Sequence, residues 1–290
     1  VTNEAAEELG VPAGTRVTYR AGDQPNNALS LSVLEPGELA ATAGTSGVVY
    51  GVIDRPAYDQ KSRVNTFVHV NHRPDQKRYG VLLCVNGTGI TNRWMKQHAV
   101  DNPHGTVSYD EINALADEAP IGSEGLIVLP FGNGAERTLE NNDIGASVHG
   151  LNFNVHGREH LLRASQEGIV FALGYGLEIM REMGMKIDLI KAGTANMFQS
   201  PIFRSAFSAV SKAEVELYST DGAEGAARGA GIGAGIFASP EEAFEGLAVS
   251  QSFAPDELTP DVTVAYETAF EQWKDALRAA LRRRTTTLSE

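Results

Sequence analysis

Short apolar runs separated by turns dominate the first half of the chain. Such runs, bounded by glycine and polar residues, are typical of strands. They predict strands over 16–20, 38–42, 48–53, 66–70, 79–85 and 125–129. Helices are predicted over 3–9, 26–34 and 108–116, the last behind a Ser-x-x-Glu capping box, and a long polar loop over 132–150.

The second half of the chain follows a helical period. Apolar positions between residues 157 and 183 recur every three or four residues, as they do on one face of a helix. The pattern also predicts helices over 201–210, 225–238 and 263–282, with strands over 186–192 and 215–218. A cluster of strands followed by alternating helices and strands indicates one α/β domain, a mixed sheet with helices packed over it.

Composition and charge narrow the class of protein. The chain has 290 residues, 24 of them Lys or Arg and 37 Asp or Glu, for a net charge of −13, and its one basic cluster is Arg282-Arg283-Arg284. So acidic a chain repels phosphate backbones, so we expect no nucleic-acid partner. Its apolar stretches are far shorter than the roughly 20 residues that span a bilayer. The single cysteine, Cys84, lies in an apolar run and predicts a buried strand residue in a protein of the reducing cytoplasm.

Asp23 is the first candidate for chemistry. It follows the predicted strand 16–20 and stands between Gly22 and Gln24. A carboxylate at the carboxyl end of a strand is well placed in a ligand crevice, where it can accept a proton from a hydroxyl group. The alternative is that Gly22 and Asp23 simply form a turn. Position alone leaves both interpretations open.

The segment Gly44-Thr45-Ser46-Gly47, between two predicted strands, is the second candidate. Glycines let a backbone approach an anion, and the hydroxyl and amide groups of Thr45 and Ser46 can bind phosphate oxygens. The alternative is an ordinary hairpin turn. Taken alone, the four residues favour the hairpin.

A third glycine-rich segment superficially matches a dinucleotide-binding fingerprint. Its third glycine position holds Ala234, however, and no acidic residue follows at the expected distance. Gly225, Gly229 and Gly233 recur at four-residue steps instead. They predict a helix with a bare face that lies close against a sheet or a ligand.

Two histidine pairs could suggest a metal site. His69 and His72 would point to opposite faces of a strand. His156 and His160 are one helical turn apart but lack the glutamate directly after the first histidine that zinc proteases have. We therefore interpret all four as structural or surface residues and predict no metal site.

Six motifs follow one another in the order in which they occur in the carboxyl-terminal half of the FGGY carbohydrate kinases. The chain therefore resembles that family over nearly its whole length and, within it, the xylulokinases. The motifs are 3–15, with Asn3-Glu4-Ala5-Ala6 and Gly10-Val11-Pro12-Ala13-Gly14-Thr15; Ala21-Gly22-Asp23-Gln24; Ala43-Gly44-Thr45-Ser46-Gly47-Val48; 129–151, with Leu129-Pro130-Phe131, Gly134-Ala135-Glu136-Arg137-Thr138 and Gly150-Leu151; Arg163-Ala164-Ser165-Gln166-Glu167-Gly168; and Glu224-Gly225-Ala226-Ala227-Arg228-Gly229-Ala230.

The resemblance implies a ribonuclease H-like, actin-type ATPase fold and assigns residues 1–290 to the nucleotide-binding half of such a kinase. It makes Asp23 the base that takes the proton from a sugar hydroxyl group, with Gln24 beside it as a substrate-binding residue. It assigns nucleotide binding to Gly44, Thr45, Gly193 and Asn196. The cofactors would be ATP and Mg²⁺, the metal ion held largely by the family's amino-terminal domain.

The chain departs from the family pattern in two respects. Ala195-Asn196-Met197-Phe198 replaces the family's Gly-Gly-Gly-Ala loop at the adenosine site, so that Asn196 would reach the nucleotide and Gly193 would supply the turn. The family's amino-terminal, sugar-binding domain has no counterpart in this chain. We therefore expect a piece of a longer enzyme, inactive alone, whose partners are that domain, the sugar, ATP and, as a further candidate, a second copy of the chain.

The activity that the resemblance implies is the ATP-dependent phosphorylation of a ketopentose, D-xylulose to D-xylulose 5-phosphate, in xylose metabolism. Kinases of ribulose, gluconate or glycerol are alternatives within the family. A non-catalytic, actin-like nucleotide-binding module is an alternative from another class. A nuclease of the same fold is disfavoured, because it needs clustered carboxylates for two metal ions on its first strand, and 16–20 has none.

Overall fold

A seven-stranded mixed sheet forms the centre of the fold. The computed structural model describes residues 1–100 and 105–287, and the side chains of residues 284–287 lie outside the described part. The strands of this sheet are β1 (Glu38–Ala43), β2 (Gly47–Ile53), β3 (Asn65–Val68), β4 (Tyr79–Val85), β7 (Leu189–Gly193), β8 (Glu214–Tyr218) and β9 (Val249–Phe253). Within the sheet they follow the order β3-β4-β2-β1-β7-β8-β9. A separate two-stranded sheet pairs β5 (Ile127–Phe131) with β6 (Gly145–His149).

Parallel pairing brings three strand ends to one edge of the sheet. Strand β7 runs parallel to β1 and to β8, whereas the other neighbouring strands are antiparallel. The carboxyl ends Ala43, Gly193 and Tyr218 therefore lie together. Because Ala43 also pairs with Gly47, the turn over 44–46 lies at the same edge. Such an edge is where open α/β sheets bind ligands.

Helices cover both faces of the large sheet. They are α1 (Asn3–Leu9), α2 (Asp23–Ser30), α3 (Gly89–Met95), α4 (Tyr109–Asp117), α5 (Arg158–Glu182), α6 (Pro201–Ser211), α7 (Gly222–Ala234) and α8 (Pro260–Thr287). One face carries the main core, in which α5, α6 and α8 pack on the strands. On the other face, Ala28 and Leu31 pack against Ala40 and Tyr50. This arrangement confirms the predicted mixed sheet with helices packed over it.

Several helices begin where a polar side chain can satisfy free backbone N–H groups. The predicted capping box is confirmed, since Ser108 accepts a hydrogen bond from Glu111 N and the Glu111 carboxylate accepts one from Ser108 N. Ser200 caps α6 and Asp221 caps α7 in the same way. None of the helices in the described ranges is long and apolar enough to cross a bilayer.

Two predictions of secondary structure were wrong, and the prediction also missed helix α3 and strand β9. Residues 16–20 are extended but join no strand of either sheet, because they pack on α7 instead, where Thr18 Oγ1 donates to Ala230 O at 2.8 Å. The predicted loop 132–150 contains β6 and the short helix Arg137–Leu139. Helix α3 follows β4 in a segment for which no element was predicted. Strand β9 was missed because it is largely exposed and therefore has no apolar alternation.

The bare face of α7 lies against α2 and the extended segment rather than against a sheet. A Cβ atom on Gly225 would lie 2.1 Å from Asn26 O, and one on Gly233 would lie 2.2 Å from Thr18 O. Gly229 faces the ring of Tyr19 in the same way. The predicted close packing is therefore confirmed, and its partner is the helix that begins with Asp23.

Candidate active-site cleft

Two adjoining cavities open at the edge of the sheet where the strand ends meet. The first, here called the Tyr109 cavity, has a volume of about 490 Å³ and is bordered by Tyr109, Asn113 and Arg93. The second, the Asp23 cavity, has a volume of about 630 Å³. Five residues line both cavities: Ala43, Gly44, Thr45, Ala195 and Asn196.

The Asp23 cavity collects every site residue that sequence analysis selected. These residues come from separate segments of the chain, namely the start of α2, the β1–β2 turn and the segment after β7. The residues are Asp23, Gln24, Gly44, Thr45, Gly193 and Asn196. Their roles stay predictions, but their convergence on one cleft is a finding about the fold.

Asp23 opens helix α2 rather than lying in a loop after a strand, which corrects its predicted setting. Gly22 precedes it as the N-cap residue. A carboxylate in the first turn is favoured by the positive end of the helix dipole, so this placement has a local cause. The side chain is exposed to solvent and accepts hydrogen bonds from Gln24 N at 2.9 Å and Gln24 Nε2 at 3.2 Å. Within the described residues no arginine pairs with it, so the carboxylate is accessible from the cavity.

The β1–β2 turn is held in place by the start of α3. Gly89 N donates to Gly44 O at 2.9 Å, and Ile90 N donates to Thr45 O at 3.2 Å. The two segments touch so closely that a Cβ atom on Gly89 would lie 2.3 Å from Gly44 O. The turn is therefore a supported structure and not a free hairpin loop.

Glu136 supports this arrangement from behind and was not selected as a site residue. Its side chain is fully buried and accepts hydrogen bonds from Asn86 N at 3.0 Å and Gly87 N at 3.2 Å, just before α3. Burial raises the pKa of Glu136 to about 7, although these two N–H groups favour the charged form. The signal was present in the sequence, because Glu136 belongs to one of the quoted motifs.

Gly193 and Asn196 continue the cleft beyond the end of β7. Thr194 N donates to Tyr218 O at 3.0 Å, which fixes the path of the chain between these two residues. Asn196 has a φ of 59°, in the left-handed region that asparagine tolerates better than most residues. Its side chain lies beside Gly44, since a Cβ atom on that glycine would be 3.8 Å from Asn196 Nδ2.

Apart from Gly44, Thr45 and Asn196, which line both cavities, sequence analysis selected none of the residues that border the Tyr109 cavity. Arg93 belongs to α3, whereas Tyr109 and Asn113 belong to α4. Tyr109 is 44% exposed, and the side chain of Arg93 is also exposed. The capping box predicted where α4 begins, but nothing local indicated that this helix faces a cleft.

Cys84 lies in a strand, β4, as predicted, but it is only half-buried because it lines the Asp23 cavity. Burial nevertheless raises the pKa of its thiol above the usual value. A second aspartate in this cavity, Asp221, has its Oδ1 atom occupied by the N–H groups of Ala223 and Glu224 at the start of α7.

The histidine pairs lie outside the cleft. His160 contacts the carboxylates of Glu124 and Glu159, each at 2.9 Å, and His69 contacts Asn71. None of the four histidines lines either cavity. Across the described ranges, no group of three or more His, Cys, Asp or Glu residues could hold a metal ion.

Comparison with known proteins identifies the class. The fold is shared with solved structures, among them xylulose kinase from Rhodospirillum rubrum (TM-score 0.81, 24% identity, 98% of this chain and 55% of that chain). Gluconate kinase from Lactobacillus acidophilus is also similar (TM-score 0.80, 21% identity, 97% of this chain and 55% of that chain). The chain thus has the ribonuclease H-like, actin-type ATPase fold, as predicted.

The sequence comparison names the family. Residues 39–238 match the FGGY family of carbohydrate kinases, C-terminal domain, and the chain belongs to this family. Xylulose kinase from Haemophilus influenzae is 30% identical over 198 residues, which are 67% of this chain and 38% of that protein. Gluconokinase from Bacillus subtilis is 28% identical over 219 residues, 73% of this chain and 41% of that protein. The chain spans about a third to a half of the length of the curated relatives that it matches.

Proposed function

We propose that the whole protein transfers the γ-phosphoryl group of ATP to a hydroxyl group of a ketopentose, converting D-xylulose to D-xylulose 5-phosphate. Membership of the FGGY family supports the phosphoryl transfer. The similarity to xylulose kinases from Haemophilus influenzae and Bacillus subtilis supports the choice of sugar. The observation that carries the proposal is the convergence of all six selected residues on one cavity, with a second cavity across the Gly44–Thr45 turn.

In this proposal Asp23 is the general base. Its carboxylate takes the proton of the attacking sugar hydroxyl group while the new oxygen–phosphorus bond forms and the bond to ADP breaks. Gln24 binds the sugar and, through its hydrogen bonds to Asp23, orients the carboxylate. Phosphoryl transfer depends mainly on positioning and charge neutralisation. The contribution that we assign to this chain is therefore the general base, held at the edge of the large sheet where the strand ends meet.

The nucleotide would span the two cavities. Gly44 and Thr45 lie between the cavities, so we assign them to the phosphate groups. Asn196 and Gly193 continue the cavity wall next to the turn. On the other side of the turn, the Tyr109 cavity offers room for the nucleotide base of ATP. This arrangement directs the γ-phosphoryl group toward Asp23, as in-line transfer requires.

Mg²⁺ would accompany the phosphate groups and offset their charge. The described residues do not form a ligand set for it, because no three His, Cys, Asp or Glu residues are grouped to hold a metal ion. Asp221, the second carboxylate of the Asp23 cavity, already accepts two backbone hydrogen bonds. We therefore propose that the protein ligands of the ion come from outside this chain.

We propose further that residues 1–290 act as the nucleotide-binding half of the enzyme, that a sugar-binding domain completes the cleft and that this chain alone turns over poorly. A second copy of the chain is a further candidate partner. The cytoplasm is the location that we propose, since a reducing compartment suits a protein with one cysteine.

The substitution Asp23→Asn tests the mechanism. In the full-length protein it should lower kcat by about 10²–10⁴-fold, because the general base is lost, while ATP binding measured by calorimetry stays unchanged. Asp261→Asn is the matched control, because it removes an exposed first-turn carboxylate from α8, far from both cavities in sequence and absent from their linings. Unchanged turnover in Asp23→Asn would refute the role of Asp23. A parent protein that binds ATP without turning over any sugar would point to the non-catalytic, actin-like module.

Gluconate is the second candidate substrate, because gluconokinase from Bacillus subtilis matches 73% of the chain at 28% identity. Ribulose and glycerol are further alternatives within the family. Comparing kcat/KM for D-xylulose, ribulose, gluconate and glycerol separates them. A higher value for any sugar other than D-xylulose would overturn the proposed substrate and leave the kinase assignment standing.

A further inference from the structure

A chain of three hydrogen-bonded polar side chains borders the Tyr109 cavity, and the residues at its two ends, Asn113 and Ser200, line that cavity. Ser200 Oγ donates to Gln166 Oε1 at 2.5 Å, and Gln166 Nε2 donates to Asn113 Oδ1 at 3.0 Å. Gln166 is fully buried in α5, and Ser200 is nearly so at the start of α6. Asn113, at the end of the chain of hydrogen bonds, is partly exposed on α4 and lines the cavity.

The hydroxyl group of Ser200 sets the direction of these hydrogen bonds. As the cap of α6, it accepts a hydrogen bond from Phe203 N at 3.3 Å. Its own proton then needs an acceptor, and the carbonyl oxygen of Gln166 supplies one. If the amide of Gln166 were reversed, a buried hydroxyl proton would lose its partner, which is unfavourable. The amide nitrogen of Gln166 must therefore point to Asn113.

This direction is passed on to Asn113. Because its Oδ1 atom accepts from Gln166, the side chain keeps its oxygen toward α5, and its Nδ2 group is left to donate elsewhere. Among the described residues Nδ2 has no hydrogen-bond partner. Since Asn113 lines the Tyr109 cavity, the cavity wall offers an oriented hydrogen-bond donor.

We propose that Asn113 Nδ2 donates a hydrogen bond to a ring nitrogen of the nucleotide base and that Gln166 is the positioning residue that fixes this orientation. The inference rests on the proposed function, in which the Tyr109 cavity takes the base of ATP. It adds a polar contact that recognises the base, whereas Gly44 and Thr45 serve the phosphate groups. A purine presents ring nitrogens as acceptors, which is the chemistry that this donor selects.

The three side chains also tie α4, α5 and α6 together, and a purely structural role is the competing explanation. The two explanations differ in what they predict for ligands without a base. If Asn113 contacts the base, its loss weakens ATP binding but not the binding of inorganic tripolyphosphate. If it only supports the fold, both ligands are affected alike.

The test measures dissociation constants by calorimetry for the chain and its variants. For Asn113→Ala we expect ATP to bind about three- to tenfold more weakly, the usual effect of one hydrogen bond, with tripolyphosphate unchanged. ATP analogues that lack one ring nitrogen, 1-deaza-, 3-deaza- and 7-deaza-ATP, then identify the acceptor. One of them should bind the parent more weakly than ATP does, and Asn113→Ala should bind that analogue and ATP equally.

Gln166→Met tests the positioning role, because it keeps the side-chain volume but removes the donor to Asn113. We expect its ATP affinity to fall severalfold and its discrimination against the sensitive deaza analogue to shrink, again with tripolyphosphate unchanged. Should this buried variant fail to fold, the Asn113→Ala comparison decides alone. The inference is overturned if the parent binds all three analogues as tightly as it binds ATP. It is also overturned if Asn113→Ala weakens the binding of ATP and of tripolyphosphate by the same factor. If the parent binds tripolyphosphate but not ATP, the proposed binding of ATP in these cavities is itself overturned. This result is distinguishable from the two results that overturn only the role of Asn113.

Discussion

Glu136 carries a strongly perturbed carboxyl group close to the cleft. It is fully buried and accepts hydrogen bonds from Asn86 N and Gly87 N. Burial raises its pKa to about 7 in the folded protein, whereas the unfolded chain has a value near 4.5. Between these two values the folded state binds more protons than the unfolded state, so the free energy of unfolding falls as the pH rises through this range.

The substitution Glu136→Gln should remove this pH dependence. Between pH 4.5 and pH 7 the parent should lose about 3 kcal/mol more of its unfolding free energy than the variant, an order-of-magnitude value from the size of the pKa shift. Urea unfolding at several pH values measures the difference. The exposed Glu118→Gln is the control and should follow the parent. Parallel curves for parent and Glu136→Gln would contradict the burial argument.

At the scale of elements, the position of Asp23 depends on how α2 and α7 pack. The glycines of α7 have no side chains and therefore let the two helices approach closely. A Cβ atom on Gly225 would lie 2.1 Å from Asn26 O and 2.9 Å from Ser30 N. Both contacts are with backbone atoms, so a side chain there cannot be accommodated by a change of rotamer. The close packing of α7 thus determines where α2, and with it Asp23, sits on the sheet.

The substitution Gly225→Ala should push α2 away from α7. Overpacking of this kind costs about 1–3 kcal/mol of unfolding free energy. In the full-length protein we expect kcat to fall while the dissociation constant for ATP stays unchanged, because the start of α2 moves and the β1–β2 turn does not. Ala227→Ser, on the exposed side of the same helix, is the matched control. Loss of ATP binding together with turnover would show that the effect is not confined to α2.

At the scale of the whole molecule, the chain presents two adjoining cavities, the cleft that we propose for the nucleotide, but spans only part of its relatives' length. If it is the nucleotide-binding half, ATP should stabilise it by mass action. At a concentration of about 100 times Kd the gain is about 3 kcal/mol, which raises the melting temperature by about 5 °C for a chain of this size. D-xylulose alone should have no effect, because its site is completed elsewhere.

Thermal denaturation with each ligand checks this prediction. Asp23→Asn should keep the shift caused by ATP, since the carboxylate is assigned to the sugar hydroxyl group and not to the nucleotide. A shift with D-xylulose alone would mean that this chain binds the sugar by itself. If ATP caused no shift of the melting temperature, the proposal that residues 1–290 form the nucleotide-binding half of the enzyme would be contradicted.

Much of the fold and part of the cleft could be predicted from the sequence. Local patterns determined the strand β4 over Tyr79–Val85, the long helix α5 and the capping box at Ser108, because each depends on residues close together in the chain. The quoted motifs also identified the family and named four of the six residues that meet in one cavity, Asp23, Gln24, Gly44 and Thr45. Gly193 and Asn196 were selected from the segment that departs from the family pattern.

Only the tertiary structure decided the rest, because it depends on contacts between distant segments. The alternation in 16–20 reflects packing on α7, more than 200 residues away in the chain, and is therefore indistinguishable locally from that of a strand. Three separate helices supply the hydrogen-bonded side chains of Asn113, Gln166 and Ser200. Glu136 accepts a hydrogen bond from Asn86 N, which lies 50 residues earlier in the chain. A sequence pattern records the surroundings that a residue has along the chain, whereas the orientation of a donor or the burial of a carboxylate is created only when separate elements pack together.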